Sequence, residues 1–122
     1  MTDRSYRVRI LESWDEWSAW LKAVPTQENE NPHFARVRHM QAAGETILWI
    51  NGPQFSWICP GCGQALGGNL GDESVSGWDK PCWVKTGTPE RPTLVPSLGC
   101  PNWRRGDCIG HWWLRDGELT LA

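Results

Sequence analysis

Two short clusters hold the residues best suited to chemistry in this chain. Cys59-Pro60-Gly61-Cys62 and Cys108-Ile109-Gly110-His111 each place two metal-binding side chains three positions apart, with a glycine before the second. That spacing suits a tight knuckle, in which two side chains converge on one ion and backbone N–H groups face the sulfurs. Three thiolates and one imidazole complete a tetrahedral shell, so Cys59, Cys62, Cys108 and His111 are the expected ligands of one structural Zn²⁺. A closed shell leaves no position for a substrate. The 45 residues between the pairs exceed the roughly 15–20 of an ordinary zinc ribbon. Segment 63–107 is therefore expected to be an insertion looped out of the ribbon.

Other chemistries find less support. No His-x-Glu precedes the cysteines and no His-Glu-x-x-His is present, which argues against deaminase and metallopeptidase zinc. Gly67-Gly68-Asn69-Leu70-Gly71 precedes no helical pattern, so it is a poor phosphate loop. No Ser-His-Asp or Cys-His arrangement stands out. Were the 63–107 insertion to form a catalytic cleft, Asp72, Glu73 and Asp79 would be its acidic candidates. The opening MTDRSYRVRI lacks a signal-peptide core and no run is long enough to span a membrane, so a reducing cytoplasm is expected. There Cys82 and Cys100, the cysteines outside the knuckles, should remain unpaired thiols.

The elements that must position these residues are short. Tyr6, Val8 and Ile10 alternate with Arg7 and Arg9, the pattern of a half-buried strand. Ser13 and Glu16 form a capping box, and Trp14, Trp17, Leu21 and Val24 follow on one stripe of an amphipathic helix that Pro25 ends. Asn31, Pro32 and Gly44 frame a second helix over 33–43. Thr46–Ile50 and Phe55–Ile58 read as a hairpin around Asn51-Gly52-Pro53, running into the first knuckle. Residues 63–77 should wrap the surface, and 83–85 and 93–95 are edge strands among prolines. Trp112–Arg115 and Glu118–Leu121 form a second hairpin at Asp116-Gly117, leaving the second knuckle.

Together these predict an α+β, mainly β fold: zinc-ribbon-like hairpins with a long insertion, plus an N-terminal strand and helix. One small domain is expected over 1–122, with 1–45 packed on 46–122. A core of this size benefits from a metal staple. Ten tryptophans against two phenylalanines and one tyrosine make indole the main source of bulky core volume. The net charge of −2 lacks the basic footprint of a nucleic-acid binder.

Three stretches in order resemble a known pattern: Cys59-Pro60-Gly61-Cys62-Gly63, Arg91-Pro92-Thr93-Leu94-Val95-Pro96-Ser97-Leu98, and Cys108-Ile109-Gly110-His111-Trp112-Trp113 with Asp116-Gly117. They are similar to a family of small, uncharacterised phage and prophage proteins that share a CP-x-CG knuckle, a Pro-Thr-Leu-x-Pro-Ser-type segment and a Cys-x-x-His. The resemblance covers about residues 55–121. It implies the same metal ligands and a phage origin, hence a host cytoplasm, and carries no activity to transfer.

The function expected from these features is a zinc-stabilised interaction module that binds a protein partner through surplus tryptophans. A nucleic-acid-binding ribbon using Arg36, Arg38, Trp103, Arg104 and Arg105 is the alternative, followed by an enzyme built on the insertion.

Overall fold

A computed structural model describes residues 5–73, 81–100, 108 and 110–122 of the chain. β1 (Ser5–Leu11) leads into α1 (Trp14–Ala23) and α2 (Pro32–Ala43). There follow β2 (Glu45–Asn51), β3 (Gln54–Ile58), β4 (Ala65–Leu70), β5 (Cys82–Gly87), β6 (Pro92–Gly99), β7 (His111–Arg115) and β8 (Glu118–Leu121). Each strand pairs with the next, and β1 pairs with both β2 and β8, so the sheet closes into a barrel. The β1–β2 and β4–β5 neighbours are parallel and the rest antiparallel.

This overturns the zinc-ribbon expectation. Both predicted hairpins form, with Gly52, Asp116 and Gly117 at the positive φ their turns require. They do not stack as a ribbon, because β1 lies between β2 and β8. Nor is the 63–107 segment looped out, since it supplies β4, β5 and β6. The physical reason is its apolar set: Leu66, Leu70, Trp83, Leu94 and Leu98 pack on one core with Tyr6, Val8, Leu48, Phe55, Trp57 and Trp112. An eight-stranded barrel is just wide enough for side chains to fill, and closure removes exposed edges.

The helices follow their caps. Glu16 N–H donates to Ser13 Oγ, and His33 N–H donates to Asn31 Oδ1. Gly44, in the left-handed region, ends α2 with its N–H on the Met40 carbonyl. Trp17 is buried against Trp49 of β2 and Trp14 tilts onto the same ring while staying largely exposed.

β6 is an internal strand despite its prolines. Pro92 opens it, where a missing N–H costs least. Pro96 lies where the ladder is broken: Leu94 pairs with Leu114 and Leu98 with Trp112, so Val95-Pro96-Ser97 stands opposite Trp113 alone. Such a bulge bends the strand and re-aims its side chains.

Candidate active site and the cysteine cluster

Ser97 lies in this irregular stretch, on the same side of the strand as Gly99, the register partner of His111. Its Oγ lies 2.6 Å from Nε2 of His111. Both side chains are partly buried, and they come from strands joined through the Gly99–His111 register pair. The Ser97 backbone is held from the other side, since the Trp83 indole N–H donates to its carbonyl at 3.2 Å. The Trp83 ring meets Phe55 edge-on, with centroids 5.3 Å apart. Gly68 makes room for this contact, because a Cβ there would come within 2.7 Å of both rings. A hydroxyl in hydrogen-bond contact with an imidazole can be deprotonated as it attacks, which is the basic requirement of a serine nucleophile.

The cysteines gather at the adjoining end of the same strands. Cys59 follows β3, Cys100 follows β6, and Cys108 precedes β7. With Cys62 they form a group whose sulfurs all lie within 4.8 Å of one another. Cys59 and Cys108 Sγ are 3.6 Å apart, and Cys62 and Cys100 Sγ 3.5 Å apart. A tetrahedral Zn–S shell with bonds of about 2.3 Å has edges of about 3.8 Å, so the group is compatible with one metal ion. Three of the four residues expected at a metal are brought together here. The fourth member of the group is Cys100, which the sequence alone marks as a spare thiol, while His111 is turned to Ser97.

The cluster is built to hold negative sulfur. Gly63 N–H donates to the Cys59 carbonyl to close the first knuckle, and Gly110 N–H donates to Cys108 Sγ at 3.2 Å. Hydrogen bonding from Cys100, opposed by burial and aided by the Gly61 and Cys62 N–H groups, takes the Cys59 thiol down to about 5. Burial and the neighbouring Cys59 charge push Cys108 up to about 12. One site is thus charged readily while its neighbour resists, because a thiolate on one sulfur disfavours a second charge close by. The Trp112 N–H is near enough to favour the Cys59 thiolate, but its geometry falls short of a formed hydrogen bond, leaving Nε1 buried without a partner.

The remaining sequence candidates lie elsewhere. Arg36 donates to the Gly63 carbonyl at 3.1 Å, and Arg38 is paired with Glu30 at 2.6 Å. Both are engaged within the chain rather than offered to a polyanion. Trp103, Arg104, Arg105 and Asp79 fall outside the described residues. Cys82 and Cys100 carry no disulfide. What the sequence reading missed is the Ser97–His111 pair. The Pro-Ser of the Pro-Thr-Leu-Val-Pro-Ser run and the histidine of Cys-x-x-His were both visible, but their contact depends on the β6–β7 register.

Residues 31–122 match the family model described as "Bacterial ubiquitination-like system serine protease (BubE)", and the chain belongs to that family. No curated protein and no solved structure matches the chain. The three stretches behind the phage-protein resemblance all lie in the matched span, yet the family's description names neither a phage origin nor a zinc ribbon. Membership points to an enzyme and overturns the reading as a zinc-stabilised interaction module, together with its nucleic-acid-binding alternative. A ubiquitination-like system implies protein partners. Among the described residues, no helix is long and apolar enough to cross a membrane.

Proposed function

We propose that this chain is a serine peptidase in which Ser97 is the nucleophile and His111 the general base. The observation that carries the reading is the 2.6 Å contact between Ser97 Oγ and His111 Nε2. The family's description as a serine protease supports it independently. In the first half-reaction Ser97 Oγ attacks the scissile carbonyl carbon while its proton passes to His111 Nε2. The C–N bond then breaks, the leaving amine takes that proton, and an acyl group remains on Ser97. In the second half, water attacks the acyl carbon, gives a proton to His111, and Ser97 leaves with it restored. The substrate is a protein of the ubiquitination-like system that the family name describes.

The cysteine cluster, in this reading, holds one Zn²⁺ in a closed, structural shell. Four thiolates leave no position open for water or substrate, so the ion takes no part in bond breaking.

Hydrolysis of p-nitrophenyl acetate tests the nucleophile without knowledge of the natural substrate. Ser97→Ala should lower the rate at least about 10³-fold, the usual order for losing a serine nucleophile, while leaving the circular dichroism unchanged. A folded Ser97→Ala protein that keeps the wild-type rate would remove the reading.

A further inference from the structure

We infer that a metal ion held by Cys59, Cys62, Cys100 and Cys108 is the positioning device for Ser97 and His111, with the Trp112 indole N–H as donor to the metal-bound Cys59 sulfur. The inference rests on the Ser97–His111 reading for its activity readout, and on the cluster geometry for everything else.

Cys100 lies three residues beyond Ser97, and Cys108 three residues before His111. Those two cysteines are the last anchor of β6 and the first of β7. A single ion bound to both fixes where the two strands start relative to one another. That constraint falls where the β6–β7 ladder is interrupted. Beyond the bulge only Leu98–Trp112 and Gly99–His111 remain in register, reinforced by the Cys100 N–H on the Gly110 carbonyl at 2.8 Å. Cys59 and Cys62 tie the same ion to β3, whose register with β2 and β4 is regular. The ion thereby transfers the rigidity of one side of the barrel to the bulged side.

Trp112 links the two functions. It is fully buried and pairs with Leu98, the residue after Ser97, while directly following His111. Its ring meets Tyr6 edge-on in the core at 5.7 Å. Its Nε1 is the one buried side-chain nitrogen or oxygen without a partner among the described residues. A Cβ at Gly110 would lie 2.5 Å from Cys59 Sγ, 2.9 Å from Cys108 Sγ and 2.9 Å from Trp112 Nε1. The indole and the sulfurs thus face one small space that only glycine leaves open. A buried N–H needs an acceptor, and a metal-bound thiolate, which keeps negative charge, is a better one than a thiol. Metal binding displaces the thiol protons to solvent and creates that acceptor.

The test uses the full chain, loaded with Zn²⁺ for activity and Co²⁺ for spectroscopy. We expect one metal per chain and a Co²⁺ spectrum of tetrahedral four-sulfur type. His111→Ala should leave both unchanged while abolishing p-nitrophenyl acetate hydrolysis. Trp112→Phe keeps an aromatic ring but removes the donor. It should shift the thiolate-to-Co²⁺ charge-transfer band, weaken metal binding about tenfold and lower kcat with little change in KM. Chelation of the wild type should lower kcat in step with metal loss, and Zn²⁺ should restore it. Because Cys100→Ser could fail to fold, the chelation and Trp112→Phe arms decide the matter. Loss of metal from His111→Ala, or a nitrogen ligand in its parent's spectrum, would overturn the ligand set. Full hydrolysis by metal-free protein would overturn the coupling while leaving the Ser97–His111 reading intact. Hydrolysis insensitive to Ser97→Ala would instead overturn that reading and leave the metal results standing.

Discussion

The β2–β3 and β6–β7 pairs are both antiparallel, and both run into the cysteine cluster, yet they are held differently. In β2–β3 four residue pairs follow without interruption from Leu48–Trp57 to Asn51–Gln54, and Leu48, Phe55, Trp57 and Ile58 are buried. Thr46 ties its hydroxyl to the Ile58 carbonyl at 2.8 Å in the same interior. Regular ladder and apolar burial suffice there. In β6–β7 the ladder skips from Leu94–Leu114 to Leu98–Trp112, and the gap presents Ser97. Side chains replace the missing ladder: the Trp83 N–H on the Ser97 carbonyl, the Ser97–His111 contact, and the sulfurs of Cys100 and Cys108. One pair is built for stability. The other gives up regularity around the Ser97–His111 contact, and is braced by side chains.

The difference can be broken from either side. Leu48→Ala removes buried volume from the regular pair and should cost about 2–5 kcal/mol of stability. Denaturant melts should show that loss, while the rate per folded molecule stays near wild type. Trp83→Phe attacks the brace of the bulged pair. It keeps the ring against Phe55 but removes the N–H, so stability should fall by only about 1 kcal/mol. Its kcat should fall about tenfold, equivalent to about 1.4 kcal/mol in the barrier. If Leu48→Ala slows the folded enzyme and Trp83→Phe does not, the division of labour between the two pairs is wrong.

The smallest effect concerns protons in the metal-free protein. Cys59 titrates at about 5 in the fold, below its ordinary 9.0. A depressed pKa means the fold favours the thiolate, so this contribution to stability is full above the unfolded value and is lost as pH falls toward 5. Cys108, pushed up to about 12 by burial, works the other way and weakens the fold only as pH rises above its ordinary value. Thiolate absorbance in metal-free protein should therefore persist at neutral pH, and Cys59→Ser should remove most of it.

Local structure was legible in the sequence wherever a short motif determines it. Ser13 and Glu16 cap α1, Asn31, Pro32 and Gly44 frame α2, and Asn51-Gly52 and Asp116-Gly117 turn the hairpins. Closure was not legible, because β1 finds its partners β2 and β8 across 33 or more residues and no local pattern specifies that pairing. The glycines of β4 argued for a surface loop. In the barrel Gly68 is small because the Phe55 and Trp83 rings occupy its space. The site was hidden by an ambiguity of chemistry. A histidine three residues after a cysteine suits a zinc knuckle, and the same imidazole suits a general base once β6 delivers Ser97 beside it. Only register distinguishes the two roles.

The central claim is that Ser97 is activated by His111, and covalent labelling with a fluorophosphonate tests it most directly. This reagent is attacked by an activated serine and leaves its phosphonyl group on the oxygen. Mass spectrometry of the digested wild-type chain should place the adduct on Ser97, and His111→Ala should label at least about 10²-fold more slowly, the usual order for losing a general base. Labelling that settles on another serine, or that proceeds at an undiminished rate without His111, would contradict the account.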